Sequence, residues 1–166
     1  FMRFAPRTAL VGALAFSLLA GGAVVAQSAM TRVPAEVQAG AYKLDPSHGK
    51  ITWSVDHLGF SKYYGQFVNV SAELTLDPAN PAASTLTATI PLTDVAPNDD
   101  GLKRHLQTPD FFDTANHPVA TFRSVHIMLD PAKPNEAMVH GELTLRGVTK
   151  PVTMEVQFNQ AGPSMG

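Results

Sequence analysis

The chain has 166 residues, twelve Lys and Arg against fourteen Asp and Glu for a net charge of −2, and no cysteine. The missing cysteines exclude disulfide staples, thiol catalysis, Cys-ligated zinc and a diacylglyceryl anchor on a leading cysteine. The mildly acidic balance argues against nucleic acid or an anionic membrane surface as a partner.

Residues 1–26 open with Arg3 and Arg7 and continue through an uncharged run rich in Ala, Leu, Val and Gly, the layout of a secretory signal peptide. Cleavage after Ala26 or Ala29 fits the small-residue exit; an uncleaved anchor is the alternative, diluted by Gly12, Gly21 and Gly22. Removing the leader takes two cations away and leaves ten against fourteen acids, about −4. About 140 residues remain, enough for one domain with one core. Residues 27–40 lack periodicity, hold Pro34 and are expected to be a linker.

A short strand over 41–44 meets turn chemistry in Asp45-Pro46-Ser47-His48-Gly49, where His48 is solvated or binds a ligand. Over 51–57 the odd positions Ile51, Trp53, Val55 and His57 form one face and Thr52, Ser54 and Asp56 the other, which predicts a strand with one wet side. His57 shares the inward row, either as a core histidine bonded to a carbonyl or as a polar contact for a ligand head. Residues 58–65, with Gly59 and Gly65 around Phe60, Tyr63 and Tyr64, are expected to turn a corner. Residues 68–76 alternate without a break, with Val68, Val70, Ala72, Leu74 and Leu76 on one face. A one-residue slip would turn that row into water, so its register is strongly specified.

After a turn at 77–81, Leu86, Ala88, Ile90 and Leu92 alternate with threonines and with Pro91, which marks a strand end or an edge. A helix follows, capped by Asn98, with Asp99 and Asp100 in its positive first turn and Lys103, Arg104 and His105 toward its negative end. Thr108 and Pro109 begin one further turn over 109–113. Leu102, Leu106, Phe111 and Phe112 are placed to cover the sheet or plug an opening. The strand over 119–129 has inconsistent parity. Either a bulge near Arg123 and Ser124 resets its faces, or Arg123 points inward and needs an anionic partner. The strand over 137–145 sets Val139, Gly141, Leu143 and Leu145 on one face; in that over 148–158 Val148, Val152, Met154, Val156 and Phe158 form a row that is apolar except for Lys150, and Arg146-Gly147 is the turn joining the two.

No Gly-rich phosphate loop, G-x-S-x-G elbow or H-E-x-x-H occurs. The six histidines are scattered and none pair at helical i, i+4 spacing, although strands over 119–129 and 137–145, if adjacent, can bring His126 and His140 together. A zinc site needs three or four converging ligands, so the inventory argues against an enzyme and names no cofactor. Seven strands with one apolar face each close most naturally as an antiparallel barrel, and eight leave room inside for one small ligand.

The segment Asp45-Pro46-Ser47-His48, Ile51 to Ser61 and Gly65-Gln66-Phe67 resembles the opening of the YceI-like proteins, the bacterial polyisoprenoid-binding family. Three further blocks agree: His105-Leu106 with Pro109-Asp110-Phe111-Phe112-Asp113; Pro118-Val119-Ala120-Thr121-Phe122-Arg123-Ser124; and the run from Gly141 to Val152 through Arg146-Gly147. The resemblance covers about residues 41–158. It implies an all-β, antiparallel, lipocalin-like barrel of eight strands, about seven of them present here, with one short helix. It also implies periplasmic export and an apolar tunnel for an isoprenoid chain. Members usually carry an Arg-Asp pair before the His-Leu of the helix, where this chain has Leu102-Lys103-Arg104, so no role of that pair transfers. Members also continue through a final hairpin absent here, so the barrel domain at 41–166 is expected to be truncated at its C-terminus.

The expected function is a periplasmic carrier of an isoprenoid lipid or quinone, without catalysis. The alternatives are a stress-related binder of fatty acids or amides and a metal-dependent enzyme using the histidines. The expected ligand-binding residues are Trp53, Val55, His57, Phe60, Leu74, Leu86, Ile90, Leu106, Phe112, Phe122, Arg123, Leu143 and Val152. His57, Arg123, Lys103 and Arg104 are the candidate head-group partners. Transient contact with a membrane and a homodimer are the macromolecular partnerships left open.

Overall fold

Period-two alternation drives the chain into antiparallel strands, as a sheet with one buried face requires. A computed structural model describes residues 29–163, so the expected leader over 1–26 lies outside the described residues. In chain order these contain β1 (Gly40–Lys43), β2 (Ile51–His57), β3 (Ser61–Phe67), β4 (Ser71–Leu76), β5 (Thr85–Pro91), β6 (Val95–Ala96), α1 (Asp100–Leu106), β7 (Val119–Asp130), β8 (Lys133–Leu145) and β9 (Val148–Gln157). They form a six-stranded sheet, β1-β4-β5-β7-β8-β9, and a three-stranded sheet, β2-β3-β6, every pairing antiparallel. The all-β fold with one short helix is therefore as expected.

Two strands escape the sequence pattern. The corner expected over 58–65 is mostly β3, which pairs with β2 along its whole length from Ile51↔Phe67 to His57↔Ser61. Its Gly65 is not a bend. It lies under the Trp53 ring, which occupies the space that a Cβ would fill. The other is β6, two residues paired to Gln66 and Phe67, too short to show a period.

The run over 68–76 does break. Asn69 takes φ 57°, and its Nδ2 donates to Asp94 Oδ2 at 2.9 Å, so the strand starts only at Ser71. Asn tolerates that left-handed backbone better than most residues. The inward row survives the break, because Val70 is still buried and Ala72, Leu74 and Leu76 follow it in step. In β7 the bulge alternative holds. The β7–β8 register shifts between Ser124 and His126, and Ala120 and Phe122 before it and Ile127 after it are all buried.

The helix cap is Asp99 instead of Asn98. Its Oδ1 accepts from the Leu102 backbone N–H at 2.6 Å, and Asp100 occupies the first turn. Lys103, Arg104 and His105 fill the last turn, where the exposed carbonyls favour cations. Residues 29–40 are not a free tether either. Thr31 exchanges two backbone hydrogen bonds with Ala161, at 2.8 and 2.9 Å, and Val37 is buried. The lack of periodicity missed this because an isolated bridge and a three-residue turn at Pro34–Glu36 need no repeating pattern.

The core divides along the large sheet. At one end Val70, Ile90, Leu92 and Ala120 pack with Phe67, Phe112, Leu143 and Leu145. Mid-sheet, Phe122, Ile127 and Val139 pack with Leu86, Ala88, Ala137, Leu143, Val152 and Met154. Each such Val, Leu, Ile, Phe or Met side chain, when fully buried, stabilises by about 1.5–3 kcal/mol.

Candidate functional site

Past Phe122 the inner face of the large sheet is not fully covered, and Leu86, Ile127, Ala137 and Val139 of the second cluster border open space. That space is a cavity of about 960 Å³. Its apolar wall comes from the ends of the strands farthest from the helix: Tyr42 of β1, Leu74 and Leu76 of β4, Leu86 of β5, Ile127 and Leu129 of β7, Ala137 and Val139 of β8, and Val156 of β9 followed by Phe158. The opposite wall is the docked N-terminal segment, through Pro34 and Val37, together with Ala161 and Gly162. The volume lies at the upper end of the range of small-molecule pockets.

Several charged groups on or next to the cavity lining are paired. Lys43 Nζ lies 3.6 Å from Glu73 Oε1, and Lys133 Nζ donates to Glu136 Oε2 at 2.8 Å, which raises the pKa of that lysine. Asp45 accepts from the Ser47 hydroxyl at 2.7 Å and the Ser47 N–H at 2.9 Å, and its other oxygen lies 2.6 Å from His48 Nδ1. The Ser47 hydroxyl bond above all, with His48 second, lowers the Asp45 carboxyl to about 2. Ser47, His48 and Asp45 do not form a nucleophilic triad, because serine and carboxylate both approach Nδ1 of the same ring. The three close an exposed turn. Tyr42 donates its hydroxyl to the Gln38 carbonyl at 2.6 Å and so ties the N-terminal wall to β1.

The sequence-derived residues divide into three groups. Leu74 and Leu86 line the cavity. Ile90, Phe112, Phe122, Leu143 and Val152 belong to the packed clusters, and Leu106 is buried on the helix. Trp53 stacks on Tyr63 at 6.1 Å and leans on Phe67 at 6.5 Å, with Phe67 edge-on to Phe112 at 5.4 Å. Its indole N–H is buried without an acceptor.

Val55, His57, Phe60 and Arg123 are all exposed and outside the cavity, His57 and Phe60 at the far end of the β2–β3 hairpin. Arg123 stands opposite Glu142 and Thr87 on the outer face, because the bulge lies after it and leaves it out of phase with Phe122. The inward orientation that would have made it a head-group partner does not occur. Lys103 and Arg104 lie on α1 and also do not line the cavity. The rows containing Leu76, Ile127, Leu129, Val139, Val156 and Phe158 were legible as inward. Nothing in their period tells which end of a row is packed and which faces a void.

His126 and His140 do face each other, with rings 6.5 Å apart and nearly parallel, and His140 Nδ1 lies 2.8 Å from Thr153 Oγ1. No group of three or more His, Asp or Glu able to hold a metal ion occurs among the described residues.

Residues 42–165 match the YceI-like domain. The chain belongs to the YceI-like family. Protein YceI of Escherichia coli O6:H1 is 40% identical over 119 residues, which are 70% of this chain and 61% of that protein. The chain thus spans under two thirds of the length of such relatives. A UPF0312 protein of Vibrio cholerae serotype O1 is 33% identical over 140 residues, 83% of this chain and 73% of that one. Among solved structures, BcnA of Burkholderia cenocepacia superposes with a TM-score of 0.61 at 30% identity, covering 68% of this chain and 69% of that one. The YCEI protein of Campylobacter jejuni gives 0.53 at 29% identity, covering 70% and 67%. The YceI-like assignment and the sheet geometry thus agree.

Proposed function

We propose that this protein holds one long apolar chain, an isoprenoid lipid or isoprenoid quinone, in the cavity of the large sheet and carries it in the periplasm. The cavity is the observation that supports the reading: about 960 Å³, walled mostly by apolar side chains such as Leu74, Leu76, Leu86, Ile127, Val139 and Phe158. A buried methylene is worth about 0.8 kcal/mol, so a dozen tail carbons would supply roughly 10 kcal/mol before the costs of association. Among the described residues the one lysine of the lining, Lys43, lies 3.6 Å from Glu73 Oε1. Binding of this kind needs no reacting group. The periplasmic location rests on the basic start and apolar run of residues 1–26.

The test is solvent extraction of the purified protein followed by mass spectrometry. One isoprenoid lipid per chain is the expected result. A fatty acid or amide in its place would assign the cavity to another amphiphile, and no stoichiometric lipid would overturn the reading.

A further inference from the structure

The β2–β3 hairpin ends in Leu58, Gly59 and Phe60, and the structure points these apolar groups into solvent: Leu58 is 80% exposed and Phe60 88%. Single exposed apolar residues need no explanation, but two on one turn do. Phe60 N–H donates to the His57 carbonyl at 3.0 Å, and both Leu58 and Gly59 have left-handed φ, 57° and 77°. Asn-Gly is the low-cost pair for such a turn, and here Leu stands in the first position. The backbone accepts an unfavourable residue and displays it. Asp56, the acid nearest the tip, turns its Oδ1 back to accept from the Gly59 N–H at 2.6 Å, while its cross-strand neighbour Lys62 stays exposed. Tyr64, 57% exposed, follows on the Lys62 face.

We propose that this hairpin tip is a membrane-docking element, inserting Leu58 and Phe60 into the interfacial region of a bilayer with Lys62 and Tyr64 at headgroup level. The tip offers only two apolar side chains, far short of the roughly 1,200 Å² total that a specific protein interface buries. An interfacial region needs no shape complementarity, only apolar groups flanked by an aromatic hydroxyl and a cation on a flexible stem. The chain is net acidic, −2 in full and about −4 without the expected leader, which disfavours an anionic surface, so the surface it fits is zwitterionic. The biological purpose rests on the lipid-carrier reading, since a carrier must exchange its cargo with a bilayer, but the contact is measurable by itself.

The experiment is co-flotation of the purified protein with phosphatidylcholine vesicles, with and without phosphatidylglycerol, for the wild type and for Leu58→Asn/Phe60→Ser. Asn suits the left-handed backbone at 58, and both side chains are solvent-facing, so urea unfolding should find the variant at least as stable as the wild type. Flotation of the wild type on phosphatidylcholine that persists at high salt, reduced roughly tenfold per side chain and a hundredfold in the double variant, supports the proposal. A wild type that stays in the unbound fraction, or a variant that floats equally well, overturns it. So does a variant whose defect appears as lost self-association in sedimentation, which would assign the tip to a second copy. Extracted lipid is measured in the same preparations. Flotation by protein that retains no cargo would sink the carrier reading and leave the docking element standing.

Discussion

Gly141 gives the sharpest energetic test of how the inner face is packed. It lies in the inward row of β8 between Val139 and Leu143, and the Phe122 ring reaches diagonally from β7 into the space its missing side chain leaves. A Cβ there would overlap Phe122 Cζ and come within 2.5 Å of the Arg123 carbonyl oxygen. The ring can turn aside at some cost, but the carbonyl belongs to the ladder and cannot. Overpacking of this kind costs about 1–3 kcal/mol, against a gain of roughly 0.5–1 kcal/mol from replacing a strand glycine by alanine. Gly141→Ala should therefore destabilise by about 1–2 kcal/mol, a fall of roughly 4–8 °C in Tm for a domain of this size. Urea unfolding with an unchanged m-value is the assay. Combining Gly141→Ala with Phe122→Leu removes the ring but leaves the carbonyl, so the double variant should lose at least about 0.5 kcal/mol less than the sum of the single losses. A Gly141→Ala protein as stable as the wild type, or strict additivity in the pair, would refute this packing.

Three other outcomes follow from named contacts. Leu58→Asn should raise stability by about 1 kcal/mol, because it relieves a left-handed leucine without removing a buried contact; an unfolding midpoint below the wild type would count against the turn geometry. The Asp45 carboxyl should titrate near 2 by NMR, below its ordinary 3.8, since it is hydrogen-bonded as the anion. A folded-state pKa below the unfolded one means that its contribution is fully present above about pH 4 and disappears as pH falls toward 2; a measured value at or above 3.8 would remove it. Ala137→Trp should place a ring in the cavity and abolish lipid retention while the protein stays folded; undiminished retention would move the ligand elsewhere.

Side-chain parity made most of the large sheet legible, because burial on one face leaves a period-two imprint that a shift of one residue would destroy. Leu74, Leu86, Val139 and Met154 were placed on the correct face by that rule alone. Parity gave less where local hydrogen bonds outrank it. Asn69 interrupts β4 through its bond to Asp94, and the bulge after Ser124 decides the fate of Arg123. The Trp53 ring over Gly65 turns an apparent corner into a strand. Head-group partners were the least legible, since His57 and Arg123 qualified by row membership and both rows end or slip just where those residues stand.

The position of the void follows from what lies on the sheet rather than from the sheet itself, whose inward rows are apolar from end to end. Near α1, Phe67 and Phe112 interlock edge-on over Ile90 and Ala120, and mid-sheet Phe122 fills the gap left by Gly141. Three rings consume the interior there. Past them the cover among the described residues is the segment around Pro34 and Val37 together with Ala161 and Gly162, and hydrogen bonds at its ends fasten it. Thr31 is laddered to Ala161, its hydroxyl donates to Glu36 at 2.6 Å, and Tyr42 holds the Gln38 carbonyl. To collapse onto Ile127 and Val139 this wall would have to give up those hydrogen bonds, each worth about 1 kcal/mol. A surrounding structure that relaxes only partly leaves its cavity open. The rim bonds thus keep protein out of the space that a ligand tail would fill.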